Sequence, residues 1–433
     1  MRRTVVLGGG LTGLVAAERL QAVGVPVLVL EREAEPGGAC RSVVRDGFTF
    51  DYTAHLLHIK RAETRAYVEE LGVYERLRRH DRLAAVWIGG HVTPYPIQIN
   101  THGLAPEVRR DCLLGFIRAW AEEPGGEPSC FEEWVYERFG EGLARHFFFP
   151  YNGKLYRARP DELDLDWVGR YVPRPGLEEV VDGALGLHRG PVGYNASFLY
   201  PEEGGIRMLP DAVASRVDEL ALGQEVVAVH PGEGWLELAD GHRQGFDRLV
   251  STLPLPCLLD MLVDGLPEEV RSARRALRWV RVLNLALGVR GPAQRREHWL
   301  YFPEPELPFY RVGLPSNHGR MAPEGCHTVS LEISLDPGGG GVEEVAVRAE
   351  QALADIGLVE PEKVMVRVTT VLDPAYVVHD LGRQRALATI REHLEHCGVA
   401  VAGRWAEWKY SAMEDAILDG MAVAARLRPG AGR

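Results

Sequence analysis

The sequence predicts an α/β fold whose parallel sheet is assembled from distant parts of the chain. Three observations predict it. A strand at Thr4–Leu7, a glycine turn, a helix to about Val23 and a strand at Val27–Leu30 make one βαβ unit. Short strand-like runs recur far away at Arg248–Thr252 and Gly398–Ala402, the second followed by a helical run from about Met413 to Arg426. Between them lie a mostly helical block over 103–186, rich in Trp, Phe and Arg, and longer strand-like runs at Val282–Val289, Thr328–Leu335 and Val364–Val368.

Taken in order, residues 62–80 read as helix, and a strand at Ala85–Ile88 leads into Pro94-Tyr95-Pro96. After Gly204-Gly205 come a helix and short strands at Glu225–His230 and Trp235–Leu238. The Asp336-Pro337-Gly338 to Gly341 stretch is a surface loop. At 433 residues the chain exceeds one ordinary core. The expected division is a discontinuous domain of residues 1–90, 190–265 and 395–433, a helical insert at 100–186, and a sheet-bearing domain of 91–99 with 266–394.

A hydrophobic content of 46% with 25% charged residues is globular, and a net charge of −12 argues against a general nucleic-acid or anionic-membrane surface. An anionic small molecule would therefore need specific arginines. No apolar run reaches the ~20 residues of a membrane span. The six cysteines lie far apart without a CxxC pair, so reduced thiols in a cytoplasmic protein are expected. The histidines show no ligand spacing, and no metal is expected.

Val5-Val6-Leu7-Gly8-Gly9-Gly10-Leu11-Thr12-Gly13 carries the chemistry of the first unit. Gly8 permits the turn, Gly10 lets a pyrophosphate approach the backbone, and Gly13 lets helix and strand pack closely. Leu11 and Thr12 open the helix, where a phosphate would sit. Glu31 ends the second strand, placed for ribose hydroxyls, with Arg32 beside it. The following Pro36-Gly37-Gly38-Ala39-Cys40-Arg41 offers a second backbone approach at Gly38 and Ala39 and a charge at Arg41. This second loop is where many flavoproteins continue their cofactor site, so the expected fold is a discontinuous Rossmann-type FAD domain with a helical insert and a sheet-bearing substrate domain.

Further motifs carry a resemblance. They are Asp51-Tyr52-Thr53-Ala54-His55-Leu56-Leu57-His58, Pro94 to Asn100, Pro150-Tyr151-Asn152-Gly153-Lys154-Leu155-Tyr156, Tyr194-Asn195, Trp279-Val280-Arg281 and Gly403-Arg404 through Tyr410 to Met413. In this order the chain resembles the UDP-galactopyranose mutases, within the wider amine-oxidase and protoporphyrinogen-oxidase-like FAD superfamily. The end of the strand at Val250 to Pro254 is closer to the oxidases. The resemblance implies FAD held also by His55, the Val227 backbone, Gly403 and Met413. It implies substrate contacts from Asn100, Tyr151, Asn152, Lys154, Tyr156, Arg174, Tyr194, Asn195, Arg281 and Tyr410, with His55, Arg174, Arg281 and Tyr410 as catalytic residues. A family glycine is Thr53 here, a tryptophan is Tyr156 and a carboxylate is Ala412.

Two arginines have a plainer reading as well. Alternation sends Arg281 to the face opposite its apolar neighbours, toward solvent, whereas a guanidinium fork suits a diphosphate. Arg174, between Pro173 and Pro175, fits a linker as well as a phosphate clamp. The implied activity is pyranose/furanose ring interconversion of a nucleotide sugar through a flavin N5 adduct, needing an external reductant. Its rival is an FAD-dependent oxidoreductase of the amine-oxidase type. Homo-oligomerisation is open.

Overall fold

The computed structural model describes residues 3–122, 125–168, 172, 174–187, 195–263 and 265–428. A five-stranded parallel sheet takes the strands Val399–Val401, Arg248–Ser251, Thr4–Leu7, Val27–Leu30 and Leu220–Ala221 in that spatial order. The central strands Thr4–Leu7 and Val27–Leu30 are apolar runs buried on both faces, as the middle of a covered parallel sheet requires, while the edge strands are half-buried. Helices Leu11–Gln21 and Met413–Leu427, from opposite ends of the chain, pack together over one face. A Cβ at Gly420 would stand 2.7 Å from the Thr12 carbonyl oxygen, so that glycine allows the close approach.

A second sheet has seven strands in the order Val364–Val377, Trp279–Arg290, Cys326–Leu335, Arg311–Gly313, Trp299–Tyr301, Ala84–Ile88 and His91–Pro94. It is antiparallel except where Trp299–Tyr301 pairs with Ala84–Ile88. The sheet thus begins at residue 84, ahead of the expected boundary at 91, because Ala85 and Val86 pair across to Leu300 and Tyr301. Helix Val342–Asp355 covers one face through Ala346, Ala349 and Leu353. The insert packs helices Pro106–Ala121, Phe131–Leu143, Phe149–Tyr156 and Leu177–Leu185 around Phe116, Phe131, Phe139 and Phe148.

One local expectation is corrected. Residues 62–80 are α-helical only at Ala62–Glu70, with a short 3-10 turn at Tyr74–Arg76, and Leu77–Asp81 is a strand paired with Ser197–Pro201. Gly72 in the left-handed region (φ 74°) ends the helical stretch. No helix among the described residues is long and apolar enough to cross a membrane.

Candidate active site

The two glycine loops meet at the carboxyl ends of the parallel strands. The Gly37 N–H donates to the Gly9 carbonyl at 2.8 Å, and a Cβ on Gly38 would lie 3.2 Å from Gly10 Cα. The glycines of the first loop are needed for different reasons. A Cβ at Gly13 would stand 2.1 Å from the Gly8 carbonyl oxygen, so the protein's own packing forbids it. A Cβ at Gly10 would meet nothing nearer than Gly38 Cα at 3.9 Å, and the Gly10 backbone (φ −73°) suits any residue. Gly10 faces an open cavity with Leu11, Thr12, Gly38 and Ala39, at a helix N-terminus with no side-chain cap and no acid in its first turn. That cradle fits a diphosphate.

Glu31 is fixed beside it, with Oε2 accepting from the Gly9 N–H at 2.7 Å and Oε1 from the Glu33 N–H at 2.9 Å. The strand Val226–His230 carries a bulge at Val227, which has no opposite residue in the ladder to Trp235–Leu238. Arg32 is exposed and pairs with Glu33, away from the cradle. Arg41 does not reach the cavity lining either. It donates Nε to the Gly38 carbonyl at 2.9 Å, pairs with Glu33 and lies over the Tyr52 ring, so it braces the second loop.

The cradle opens into a cavity of about 370 Å³. His55 lies in its wall, with Nδ1 at 3.0 Å from Thr53 Oγ1 and 3.3 Å from the Thr53 carbonyl. Burial, reinforced by the Arg404 charge, lowers His55 to about 4, so its ring is neutral at neutral pH. Thr53 keeps an ordinary negative φ, and its hydroxyl sets the ring rather than straining the loop. At Gly403 (φ 93°) a Cβ would stand 2.9 Å from Thr12 Oγ1, and Met413 begins the C-terminal helix against the cavity.

The positive wall comes from Arg82, Arg311 and Arg404. Arg311 Nη2 donates to both oxygens of Glu332, at 2.6 and 2.5 Å, and Glu332 also accepts from the Tyr310 hydroxyl and the Ala54 N–H. Arg404 donates to the Ser411 and Ala375 carbonyls and lies over the rings of Tyr376 and Tyr410. Tyr95, Tyr301, Tyr376, Tyr410, Gln98 and Asn195 add hydrogen-bonding groups to the lining. Burial raises the Tyr410 phenol to about 12, so it remains a donor. The Asn195 side-chain amide oxygen, Oδ1, is buried without a partner. No Asp or Glu stands among the described lining residues.

Several expected substrate residues lie elsewhere. Arg281 points away from the cavity while its neighbour Val282 faces it, as strand alternation requires. It donates to the Gly339 carbonyl at 2.6 Å and pairs with Asp373 at 3.3 Å. Arg174 lies over the Trp120 ring in the insert. Asn100 donates to the Pro96 carbonyl, leaving Gln98 and Pro96 at the cavity. Asn152 donates back to Phe148 within its helix. Lys154 Nζ donates to the carbonyls of Phe302, Glu304 and Phe309 at 2.8, 2.8 and 2.6 Å. Tyr151 and Tyr156 are aromatic core, packed on Phe147 and Trp167. Tyr194 lies outside the described residues.

None of the cavity arginines Arg82, Arg311 and Arg404 was among the expected site residues, and Arg311 is the one that could have been found. Its signal was there: one Arg in Phe309-Tyr310-Arg311-Val312 and one Glu in Leu331-Glu332-Ile333, opposite charges each alone in an apolar strand. Buried charges are paired, so the two imply each other.

A family model described as flavin containing amine oxidoreductase matches residues 11–428. Mitochondrial protoporphyrinogen oxidase of Nicotiana tabacum is 35% identical over 358 residues, 69% of this chain and 70% of that protein. A probable UDP-galactopyranose mutase of Klebsiella pneumoniae is 26% identical over 169 residues, 37% of this chain and 43% of that protein. The chain spans 58–64% of the length of the first curated relatives that it matches. Among solved structures, reduced UDP-galactopyranose mutase superposes with a TM-score of 0.90 at 26% identity, over 99% of this chain and 95% of that one.

Proposed function

From a chain that belongs to the family of flavin containing amine oxidoreductases and takes FAD as its cofactor, we propose an enzyme acting on a nucleotide-activated sugar, exchanging its ring size without net redox change. The observation that carries this reading is the cavity wall. In a protein of net charge −12, three arginines and four tyrosines face one cavity with no described carboxylate among them. Such a wall suits a diphosphate and disfavours a protonated amine.

Bound FAD supplies, when reduced, an electron-rich nucleophile, and the chain supplies position and charge. Arg311, held by Glu332, and Arg404, held by two carbonyls, are fixed cations that could orient a leaving diphosphate without reorganising. The hydroxyls of Tyr301, Tyr376 and Tyr410 are donors at the same face. His55, neutral and held through Nδ1, presents an uncharged ring beside the cofactor cradle. The N-terminus of helix Met413–Leu427 also borders the cavity, with its dipole offset by Glu414 and Asp415 in the first turn.

The test is spectroscopic and then catalytic. UDP and TDP, titrated separately, should perturb the flavin absorbance, and dithionite should switch on ring exchange of the matching sugar nucleotide. The same arginines would also hold a carboxylate-bearing substrate. The tobacco relative is named a protoporphyrinogen oxidase, which favours oxidation as the second reading. Oxygen uptake stoichiometric with turnover would establish that alternative and end the first.

A further inference from the structure

A second cluster lies where the helical insert meets the end of strand Val364–Val377. Leu163 bridges to Asp380, the Asp164 N–H donates to the His379 carbonyl at 2.7 Å, and the Leu381 N–H donates to Glu162. This backbone pairing holds Asp164 against His379. The Asp166 N–H donates to Asp164 Oδ1 at 3.1 Å, a turn that brings the second carboxylate alongside the first. One ligand atom from each of Asp164, Asp166 and His379 lies within 4.8 Å of the others.

The histidine is the independent observation. His379 is 3% exposed, and neither ring nitrogen has a hydrogen-bond partner. An imidazole carries at least one donor or acceptor on each nitrogen, and burying both without partners is costly. Nδ1 stands 4.0 Å from Asp164 Oδ1, too far for a hydrogen bond. Two ligands on one tetrahedral zinc ion stand roughly 3.4 Å apart at ordinary bond lengths, a gap that a small side-chain shift closes. Arg383 pairs with Asp166 at 2.6 Å and stands 3.7 Å from Asp164, so one negative charge of the cluster remains over.

We propose that Asp164, Asp166 and His379 bind a divalent transition ion of the zinc class, pinning the insert to the strand–helix junction. The imidazole selects against calcium and magnesium, and Arg383 keeps its partner Asp166 oriented. His379 lies more than 200 positions from the two carboxylates, so no sequence spacing announces the cluster.

FAD-loaded protein, treated with a chelator and dialysed, is titrated with zinc chloride while bound zinc per chain and unfolding temperature are read. One zinc per chain is expected, with a higher unfolding temperature and little response to magnesium chloride. His379→Ala and the isosteric Asp164→Asn should each weaken zinc binding at least tenfold with FAD content unchanged. His393→Gln, which removes the surface neighbour of Cys397, should leave it intact. Absence of stoichiometric zinc in the wild type, equal zinc affinity in Asp164→Asn, or equal binding of magnesium would overturn the proposal.

Discussion

At the scale of single residues, Arg311 and Arg281 separate two accounts of substrate binding. Arg311→Lys keeps a cation beside Glu332 but loses the planar fork, so affinity for a nucleoside diphosphate should fall on the order of tenfold to a hundredfold. Arg281→Ala, which removes only the contacts to Asp373 and Gly339, should leave that affinity unchanged. Flavin absorbance titrations in the two variants decide the matter, and equal losses would return Arg281 to the site. A second prediction concerns acid. The rings of His80, His298 and His318 meet around Phe198, and burial with neighbouring imidazoles lowers His298 to about 4 and His318 to about 3. With His55 they remain neutral in the folded chain, whereas an unfolded chain takes up these protons below about pH 6.5. Stability present above pH 6.5 is therefore lost as the pH falls toward 4. Asp51, Asp164 and Asp419, pushed up by burial to about 6, 7 and 6, work the other way, so the histidine share shows as a difference between variants. In thermal melts from pH 7.5 to 5, His318→Gln should lose less stability toward acid than the wild type. An unchanged slope in that variant would remove the histidine cluster from the account.

Elements explain which parts of the site the sequence made plain. The first glycine loop is local: strand, turn and helix lie within about twenty residues, and each glycine has its own steric reason. Gly13→Val should abolish both folding and FAD binding, because its Cβ collides with the Gly8 carbonyl. Gly10→Leu should fold, with an unfolding temperature near that of the wild-type apoprotein, yet purify colourless. Loss of folding in both would mean that Gly10 serves packing after all. Lys154 shows the opposite case, a polar residue in a family motif whose structural partners are invisible locally. Its three acceptors lie on the Phe302–Phe309 segment that leads into Arg311. Lys154→Met would take this donor from the Phe302 and Phe309 carbonyls and should lower stability by roughly 1–3 kcal/mol in a denaturant melt. Arg311 escaped the sequence reading for the same reason, since its meaning depends on Glu332 across the sheet. The alternation rule placed Arg281 opposite its apolar neighbours, and its side chain lies off the cavity, paired with Asp373 and largely buried rather than in solvent.

For the whole molecule, composition and charge excluded more than they identified, and the discontinuous sheet was legible because its strands end in recognisable turns. The boundary at residue 84 was not, since Ala84–Ile88 joins its sheet through a partner over 200 residues away. The protein should purify yellow and release intact FAD on heating; a wild-type chain that cannot be reconstituted with FAD would contradict the fold's own cradle.

The spatial order of the parallel sheet has a consequence for how the protein is made. Strand Thr4–Leu7 leaves the ribosome early, but its neighbour Arg248–Ser251 and the edge strand Val399–Val401 come much later. At roughly 5–20 residues per second, the stretch from Thr4 to Val401 alone takes on the order of 20 seconds or more to synthesise. Throughout that interval the nascent glycine loop has no completed sheet beneath it and no C-terminal helix against Thr12. Cofactor loading is therefore a post-synthetic event, and a chain stopped before residue 399 would be a substrate for chaperones and proteases rather than a smaller flavoprotein.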